Sequence, residues 1–311
     1  MNAFLEALIN GVGQGAVYAL IAVSFVIIYR ATSVLNFAQP ALMIIGTFIT
    51  SVFVIDRGFP FWLAVVLSMV IVAAFSMGIE RVALRPMVGR DTYSAAIVTV
   101  GLFIALLVLA FRLYAANPRS VGDPWGLNVI CLGGTPVEGF VGGCEGGLTI
   151  YQNSVARTVI ALIVIAALGI WLAKSKLGLA MRATSLDQET AMAQGIPVGR
   201  MFSIAWGISG ALVALAGVLL ASSGGVVQAS DALFALVALP AIIIGGLDSL
   251  KGAVLGGLIV GIAMALTKAF QPIALPWLGN GFSNVVPYLI MLIILLIRPY
   301  GLFGTKEVQR V

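Results

Sequence analysis

No histidine occurs anywhere in the 311 residues. That excludes a His-containing catalytic triad or dyad, a His-ligated haem or metal, and a histidine proton relay. Only two cysteines are present, too few for a structural zinc site. No G-x-x-x-x-G-K-[ST] phosphate loop occurs; the nearest approach, Gly246 to Lys251, has the wrong spacing and follows an apolar run. The chain is therefore not expected to be an enzyme. It has no candidate catalytic residues, no own ATPase site, no cofactor and no metal. Charge is scarce as well: 9% of residues are Asp, Glu, Lys or Arg, where a soluble domain carries about 25%. Such a chain cannot cover a water-soluble surface of its size.

What is present is apolar. Hydrophobic residues make up 61% of the chain and mean hydropathy is +1.11, so the solvent is lipid. A spanning helix needs about 20 apolar residues. Runs of this kind fall near 8–29, 38–55, 61–79, 93–114, 155–173, 201–222, 233–246, 252–270 and 284–297. Long unbroken runs exclude a β-barrel, which alternates over about ten residues. The expected fold is an all-α polytopic membrane protein with about eight to ten transmembrane or re-entrant helices. The runs 38–55 and 233–246 are short, and are candidates for broken or re-entrant helices. The 36 glycines suit close helix packing. Pairs four apart (Gly11/Gly15, Gly210/Ala214, Gly252/Gly256, Gly257/Gly261) flatten helix faces without naming an interface.

Orientation follows from Lys and Arg. With 81–91, 174–200 and the C-terminus inside, Arg30, Arg81, Arg85, Arg90, Lys174, Lys176, Arg182, Arg200, Lys251, Arg298, Lys306 and Arg310 lie on the inner side. Arg57, Arg112, Arg119, Arg157 and Lys268 remain outside. The net charge of +5 is read as this loop bias, with no nucleic-acid partner. Nine runs then place the N-terminus outside and the C-terminus inside. No Lys or Arg precedes Arg30, so the first run is read as a retained span, not a cleaved signal peptide. The longest polar stretch outside, 115–153, holds Cys131 and Cys144. Two cysteines in one extracytoplasmic loop can pair in an oxidising periplasm, the alternative being two unrelated thiols.

Acidic residues near the spans are few: Glu80, Asp231 and Asp248, each at a span end. A carrier driven by protons or sodium buries more ionisable groups at mid-membrane, so the driving energy is expected from another polypeptide. The inner loop offers a place for it to enter. Ser185 is positioned to N-cap a short helix, with Gln188 three residues later in the capping-box position. Gly195 ends that helix and Pro197 prevents its renewal. The helix, of about two to three turns, is either an ordinary surface helix or a docking element.

Glu189-Thr190-Ala191-Met192-Ala193-Gln194-Gly195 resembles the E-A-A-x-x-x-G signature of ABC importer permeases, departing at Thr190. Other motifs follow in order. Gly15-Ala-Val-Tyr18-Ala-Leu-Ile-Ala22 resembles a first-span G-x-x-Y-A-L-x-A. Asn36-Phe37-Ala38 resembles N-F-A-H-G, with Gln39-Pro40 in place of His-Gly. Glu80-Arg81 with Arg85-Pro86 fits E-R-x-x-x-R-P, and Gly178-Leu-Ala-Met-Arg182-Ala fits G-R-A-M-R-A apart from Leu179. Gly245 to Gly257 resembles G-G-L-G-S-x-x-G-A-x-x-G-G, and Arg298 to Gly304 resembles R-P-x-G-L-F-G. Across nearly its whole length the chain resembles the branched-chain amino acid ABC transporter permease family, LivH-type.

That resemblance implies one transmembrane permease domain over 1–311 in a bacterial inner membrane, with 115–153 a periplasmic loop and 174–200 a cytoplasmic coupling loop. It implies a second permease chain, LivM-like or a second copy, two cytoplasmic ABC ATPase subunits and a periplasmic solute-binding protein. Glu189, Ala191, Gly195 and Arg182 are expected to couple to the ATPase. Cargo is a branched-chain amino acid or a related small polar solute; urea, amides and other small organic solutes fit the same family. Asn36, Gln39, Asp248 and Ser249 are candidates for the solute pathway, being able to exchange hydrogen bonds with a passing zwitterion, or are ordinary interhelical bonds. A stand-alone carrier or channel, and a membrane anchor without transport, are the readings of other classes.

Overall fold

The computed structural model describes residues 2–87, 92–114, 118–126, 128–137, 143–222, 226–228, 231–279 and 281–305. Arg90, Lys306 and Arg310 of the charge argument lie outside these. Among the described residues seven helices are long and apolar enough to cross a membrane. They are α1 (Asn2–Thr32), α2 (Gln39–Ser51, continued by a π turn Val52–Asp56), α3 (Phe61–Ile79, continued by a π turn Glu80–Leu84), α4 (Thr92–Tyr114), α5 (Gln152–Lys174), α8 (Val198–Ala221) and α11 (Leu250–Ala274). Shorter helices are α6 (Lys176–Leu186), α7 (Gln188–Ala193), α9 (Ala232–Leu236), α10 (Ala238–Gly245) and α12 (Val286–Ile297).

The two short runs resolve differently. Residues 39–56 form one continuous helix, opened by Pro40 near its first position, where a missing N–H costs nothing. Residues 232–245 are broken at Val237 into α9 and α10. Pro240 explains the break: in an unbroken helix its ring would strike the carbonyl of Leu236.

Contacts divide the chain into two compact units. The first comprises Met1–Ala22, Asp123–Ile163 and Val237–Val311. In it α1 lies against α11 through the glycine pairs: a Cβ on Gly15 would stand 2.9 Å from Leu258 Cα, and one on Gly11 2.8 Å from Ile262 Cα. Gly257 and Gly261 meet Ala19 and Gly15 from the other side. The helices therefore touch backbone to backbone. At the start of α1, Glu6 accepts from the Thr149 amide at 2.7 Å and Asn10 accepts from Ser154 Oγ at 2.8 Å. The 115–153 stretch is not plain loop. Strands β2 (Val129–Leu132) and β5 (Leu148–Tyr151) pair antiparallel, as do β3 (Thr135–Val137) and β4 (Gly143–Glu145). Cys131 and Cys144 are bonded across them, Cα atoms 5.7 Å apart.

The opposite end of this unit joins two of the sequence motifs. Leu302 N donates to Ile244 O at 2.8 Å and Phe303 N to Gly245 O at 3.0 Å, so the Arg298–Gly304 motif closes on the end of α10.

The second unit comprises Val23–Gly122 and Val164–Leu236. Helix α2 is its centre, buried along nearly its whole length and packed on α3, α4, α8 and α9. The small strands β1 (Arg119–Ser120) and β6 (Val226–Val227) pair antiparallel, and Arg119 grips both oxygens of Asp56 at 2.7 Å.

Candidate functional site

A cavity of about 280 Å³ opens within the second unit. Helix α1 ends at Thr32, and Ser33 takes a left-handed conformation, φ 57°. That reversal brings Asn36 into the wall, where its Oδ1 accepts from Ala38 N at 3.0 Å. Thr99 of α4 fixes the same segment by accepting from Phe37 N at 3.1 Å. Phe202 and Trp206, four residues apart on α8 and so on one helix face, form another side. Leu84, Met87 and Glu80 close it from the end of α3, and Gln188, the first residue of α7, completes the rim.

Glu80 is held by a network. Arg85 donates to it from Nε at 3.3 Å and from Nη2 at 3.1 Å, and Ser203 Oγ donates to Oε2. The same guanidinium reaches Gly199 O at 2.6 Å and Ser203 Oγ at 2.7 Å. Residues five apart stand about 140° apart around an α-helix. The π turn, closed by the Arg85 amide on Glu80 O, is what brings them together. Glu80 is thus an internal ion pair facing the cavity, not a solvated end.

Two residues of the wall carry a polar atom without a hydrogen-bond partner among the described residues, Asn36 Nδ2 and Trp206 Nε1, each on a residue 1% exposed. Trp206 was not among the residues singled out by the sequence. One signal was available there, because tryptophan carries an N–H that normally finds a partner when buried.

The other pathway candidates lie elsewhere. Gln39 is wholly buried but does not line the cavity; its Nε2 donates to Ser209 Oγ, which donates to Ser24 O at 2.7 Å. Ser249 caps α11, accepting from Gly252 N at 3.0 Å. Asp248 accepts from the amide and hydroxyl of Thr305. These three have local structural employment.

The inner loop differs in detail from expectation. Ser185 does not cap: it lies inside α6 and donates back to Arg182 O at 2.8 Å. The cap of α7 is Asp187, in extended conformation, accepting from Glu189 N at 2.9 Å and Thr190 N at 3.1 Å. Asp wins because its carboxylate reaches both free amides of the first turn. Thr190, the departure from the signature, adds its hydroxyl to Asp187 at 2.6 Å. That bond, followed by the two amides, holds the Asp187 carboxyl below its usual range. The helix is six residues long, shorter than expected. Gly195 ends it at φ 81°. Glu189 and Gly195 are exposed, whereas Ala191 is buried and turned into the chain's own packing. Arg182 reaches back to Leu172 O at 3.5 Å. Gly178 sits so close to the Leu172 carbonyl that no side chain fits. Leu186 is 88% exposed beside this helix, and Met192 is exposed upon it.

Apolar spans, a polar cavity between them and a short capped helix on one rim define a polytopic helical permease. The chain matches the family described as "Branched-chain amino acid transport system / permease component" over residues 7–295 and belongs to it. It is 31% identical to "High-affinity branched-chain amino acid transport system permease protein LivH" of Escherichia coli (strain K12), over 99% of this chain and 98% of that one. It is 28% identical to the permease protein BraD of Pseudomonas aeruginosa, over 99% and 98%. It is 28% identical to a probable LivH of Methanocaldococcus jannaschii, over 94% and 90%. The solved structure described as "PsaBC from Streptococcus pneumoniae in complex with Fab" shares 15% identity over 94% of this chain and 90% of that one. Its TM-score is 0.47, a likeness too loose to define a shared fold.

Proposed function

We propose that this permease carries a branched-chain or similar aliphatic amino acid inward, powered by separate ATPases. The observation that carries the reading is the cavity itself. Its wall joins Asn36 and Glu80, inside the bundle, to Gln188, the first residue of the capped helix that bears the importer signature. A partner that moves α7 moves part of the cavity wall. The exposed Leu186 and Met192 beside it give such a partner apolar area to hold.

The expected assembly is this chain with a second permease, LivM-like or a copy of itself, two cytoplasmic ABC ATPases and a periplasmic solute-binding protein. Its place is the bacterial inner membrane, with the N-terminus periplasmic and the C-terminus cytoplasmic. The Lys and Arg distribution supports that orientation. So does the tie between Glu6, near the start of α1, and the disulfide-bearing hairpins, because disulfides persist in oxidising compartments. Coupling is assigned to Glu189, Ala191, Gly195 and Arg182, of which Glu189 is exposed on α7, Gly195 is exposed just beyond its end, Ala191 is buried on its inner side and Arg182 belongs to the preceding α6.

The test is uptake of radiolabelled L-leucine into proteoliposomes holding the assembled complex. Uptake that needs ATP, the ATPases and the binding protein supports the reading. Uptake by this chain alone, without ATP, would establish a secondary carrier instead.

A further inference from the structure

Arg157 lies near the start of α5, beside α1, and is 7% exposed. Among the described residues the ion pairs are Glu80–Arg85 and Asp56–Arg119, so no described carboxylate balances this cation at contact. Asp123, itself exposed, acts on it only from further off. Glu6, one turn before Asn10 on α1, is engaged by the Thr149 amide. A charge buried without a counter-charge is costly, and an ionisable side chain within a membrane is a functional site by default.

The guanidinium points back towards the start of its helix. Its Nη2 donates at 3.1 Å to Ser154 Oγ in the first turn, and Ser154 Oγ donates at 2.8 Å to Asn10 Oδ1. Gly13 lets α1 and α5 close on each other here, since a Cβ on it would stand 2.9 Å from Ser154 O. Arg157 Nε is enclosed, whereas Nη1 is open and has no partner among the described residues. Asn10 Nδ2, on a half-buried side chain beyond Ser154, is likewise open and unpaired. Two donors thus flank Ser154 at the N-terminus of a 23-residue helix, whose first amides and dipole favour an anion. Position selects which anion. Arg157 stands roughly 7.5 Å along α5 from its first residue, Gln152, just below the headgroup layer, and long cationic side chains near a helix end reach back to that layer. Val155, Val159, Leu162 and Ile163 of α5 are exposed, an apolar surface for acyl chains.

We propose that the seam between α1 and α5 binds the phosphate diester of an outer-leaflet phospholipid, with Arg157 Nη1 and Asn10 Nδ2 donating to its non-bridging oxygens. The phosphate supplies the counter-charge that Arg157 lacks and ties α1 to α5 through the lipid. The proposal rests on the importer reading only for the leaflet, by way of the periplasmic N-terminus.

The experiment is native mass spectrometry of the assembled complex in neutral detergent, titrated with phosphatidylglycerol, with a glucosyl diacylglycerol of the same chains, and with inorganic phosphate. The parent is expected to hold phosphatidylglycerol about tenfold more tightly than the sugar lipid, the scale of one hydrogen bond to a charged group. Arg157→Gln is expected to erase that preference, and Asn10→Ala, which keeps the cation, to weaken it about fivefold. Lys268→Gln is the control, an exposed cation near the outer end of α11; it is expected to bind as the parent does. Thermal unfolding gives a second reading. Phosphatidylglycerol is expected to raise the midpoint of the parent and not that of Arg157→Gln, which sheds an unbalanced buried charge and so stays folded without lipid. The same preference in the parent and in Arg157→Gln would overturn the proposal. Inorganic phosphate that displaces the lipid would overturn the lipid as the source of the anion. Leucine uptake is read separately: its failure overturns the importer reading and leaves these affinities unchanged.

Discussion

The guanidinium of Arg85 holds both carboxylate oxygens of Glu80, Nε 3.3 Å from Oε1 and Nη2 3.1 Å from Oε2. The carboxylate is 1% exposed and the guanidinium 36%, so only the cation keeps appreciable water. Breaking such a pair from the exposed side strands a buried charge, while replacing both partners by apolar groups removes the charge altogether. Arg85→Ala is expected to lower stability by about 3 kcal/mol, the low end of the buried range because water reaches the guanidinium. Thermal unfolding of the detergent-solubilised chain measures it. Adding Glu80→Leu to that variant is expected to restore part of the loss; two losses that simply add would show that the pair is not coupled.

This pair also marks what the sequence makes legible. Glu80 and Arg85 stand in a recognisable motif, and the structure pairs them. Their meeting depends on a π turn, which hydrophobic periodicity cannot reveal. Asn36 and Gln39 looked equivalent, yet only Asn36 faces the cavity. Helix α2 is buried on nearly every side, its Gln39, Thr47, Thr50 and Ser51 included, so polarity in the sequence does not mark which side chain reaches the cavity. Trp206 was hidden for the same reason in the long apolar run of α8. The helix after the fifth span was visible from its ends, Gly195 and Pro197. Its start was misplaced because Ser185 and Asp187 both favour cap positions, and only the backbone decides which leaves the helix.

Asp187 gives α7 a pH dependence of definite sign. Its hydrogen bonds to Thr190 and to the Glu189 amide hold its folded-state carboxyl below the usual range. The cap's stabilisation is therefore fully present above the ordinary Asp value, about 3.9, and is lost as pH falls through the lower folded value. Hydrogen-exchange protection of the Glu189 and Thr190 amides, corrected for intrinsic exchange, is expected to persist down to that range and then fall. Asp187→Ala is expected to abolish both the protection and its pH dependence. Equal protection in that variant would remove Asp187 as the cap.

Contact between α1 and α11 leaves no room for a side chain. A Cβ on Gly15 would already stand 2.9 Å from Leu258 Cα, and this is backbone, which cannot turn aside. Gly15→Leu is expected to force the helices apart and cost well over the 1–3 kcal/mol of ordinary overpacking. The measurement is the midpoint of thermal unfolding together with the yield of folded protein. Gly58→Ala is the comparison, since nothing lies within 4 Å of its Cβ position and its cost is confined to a φ of 67°. A Gly15→Leu variant as stable as Gly58→Ala would refute the backbone contact.

The hairpins over 129–151 carry a bond that chemistry can count. Cys131 and Cys144 close a loop with a separation of 13 residues, and a loop of that size stabilises by about 3 kcal/mol in the chain-entropy account. Alkylation of the unfolded chain without reductant is expected to add no mass, and after reduction to add two alkyl groups. Two groups added without reductant would show free thiols and an unlocked hairpin.

Gly195 separates two ways in which α7 can fail. Its φ of 81° is one that side chains disfavour, and the space around its Cβ position is open for 4 Å. Gly195→Ala therefore meets only the backbone cost, roughly 1–2 kcal/mol for a left-handed residue. Gly195→Trp meets the same cost and also plants bulk on the exposed surface just beyond the end of α7. If that side docks the ATPase, uptake per ATP hydrolysed falls strongly in the Trp variant and little in the Ala variant, while ATP hydrolysis continues in both. The readout is the ratio of leucine taken up to phosphate released in proteoliposomes. An equal fall in both variants would assign Gly195 to the folding of α7 alone; an unchanged ratio in the Trp variant would remove this face from the coupling path.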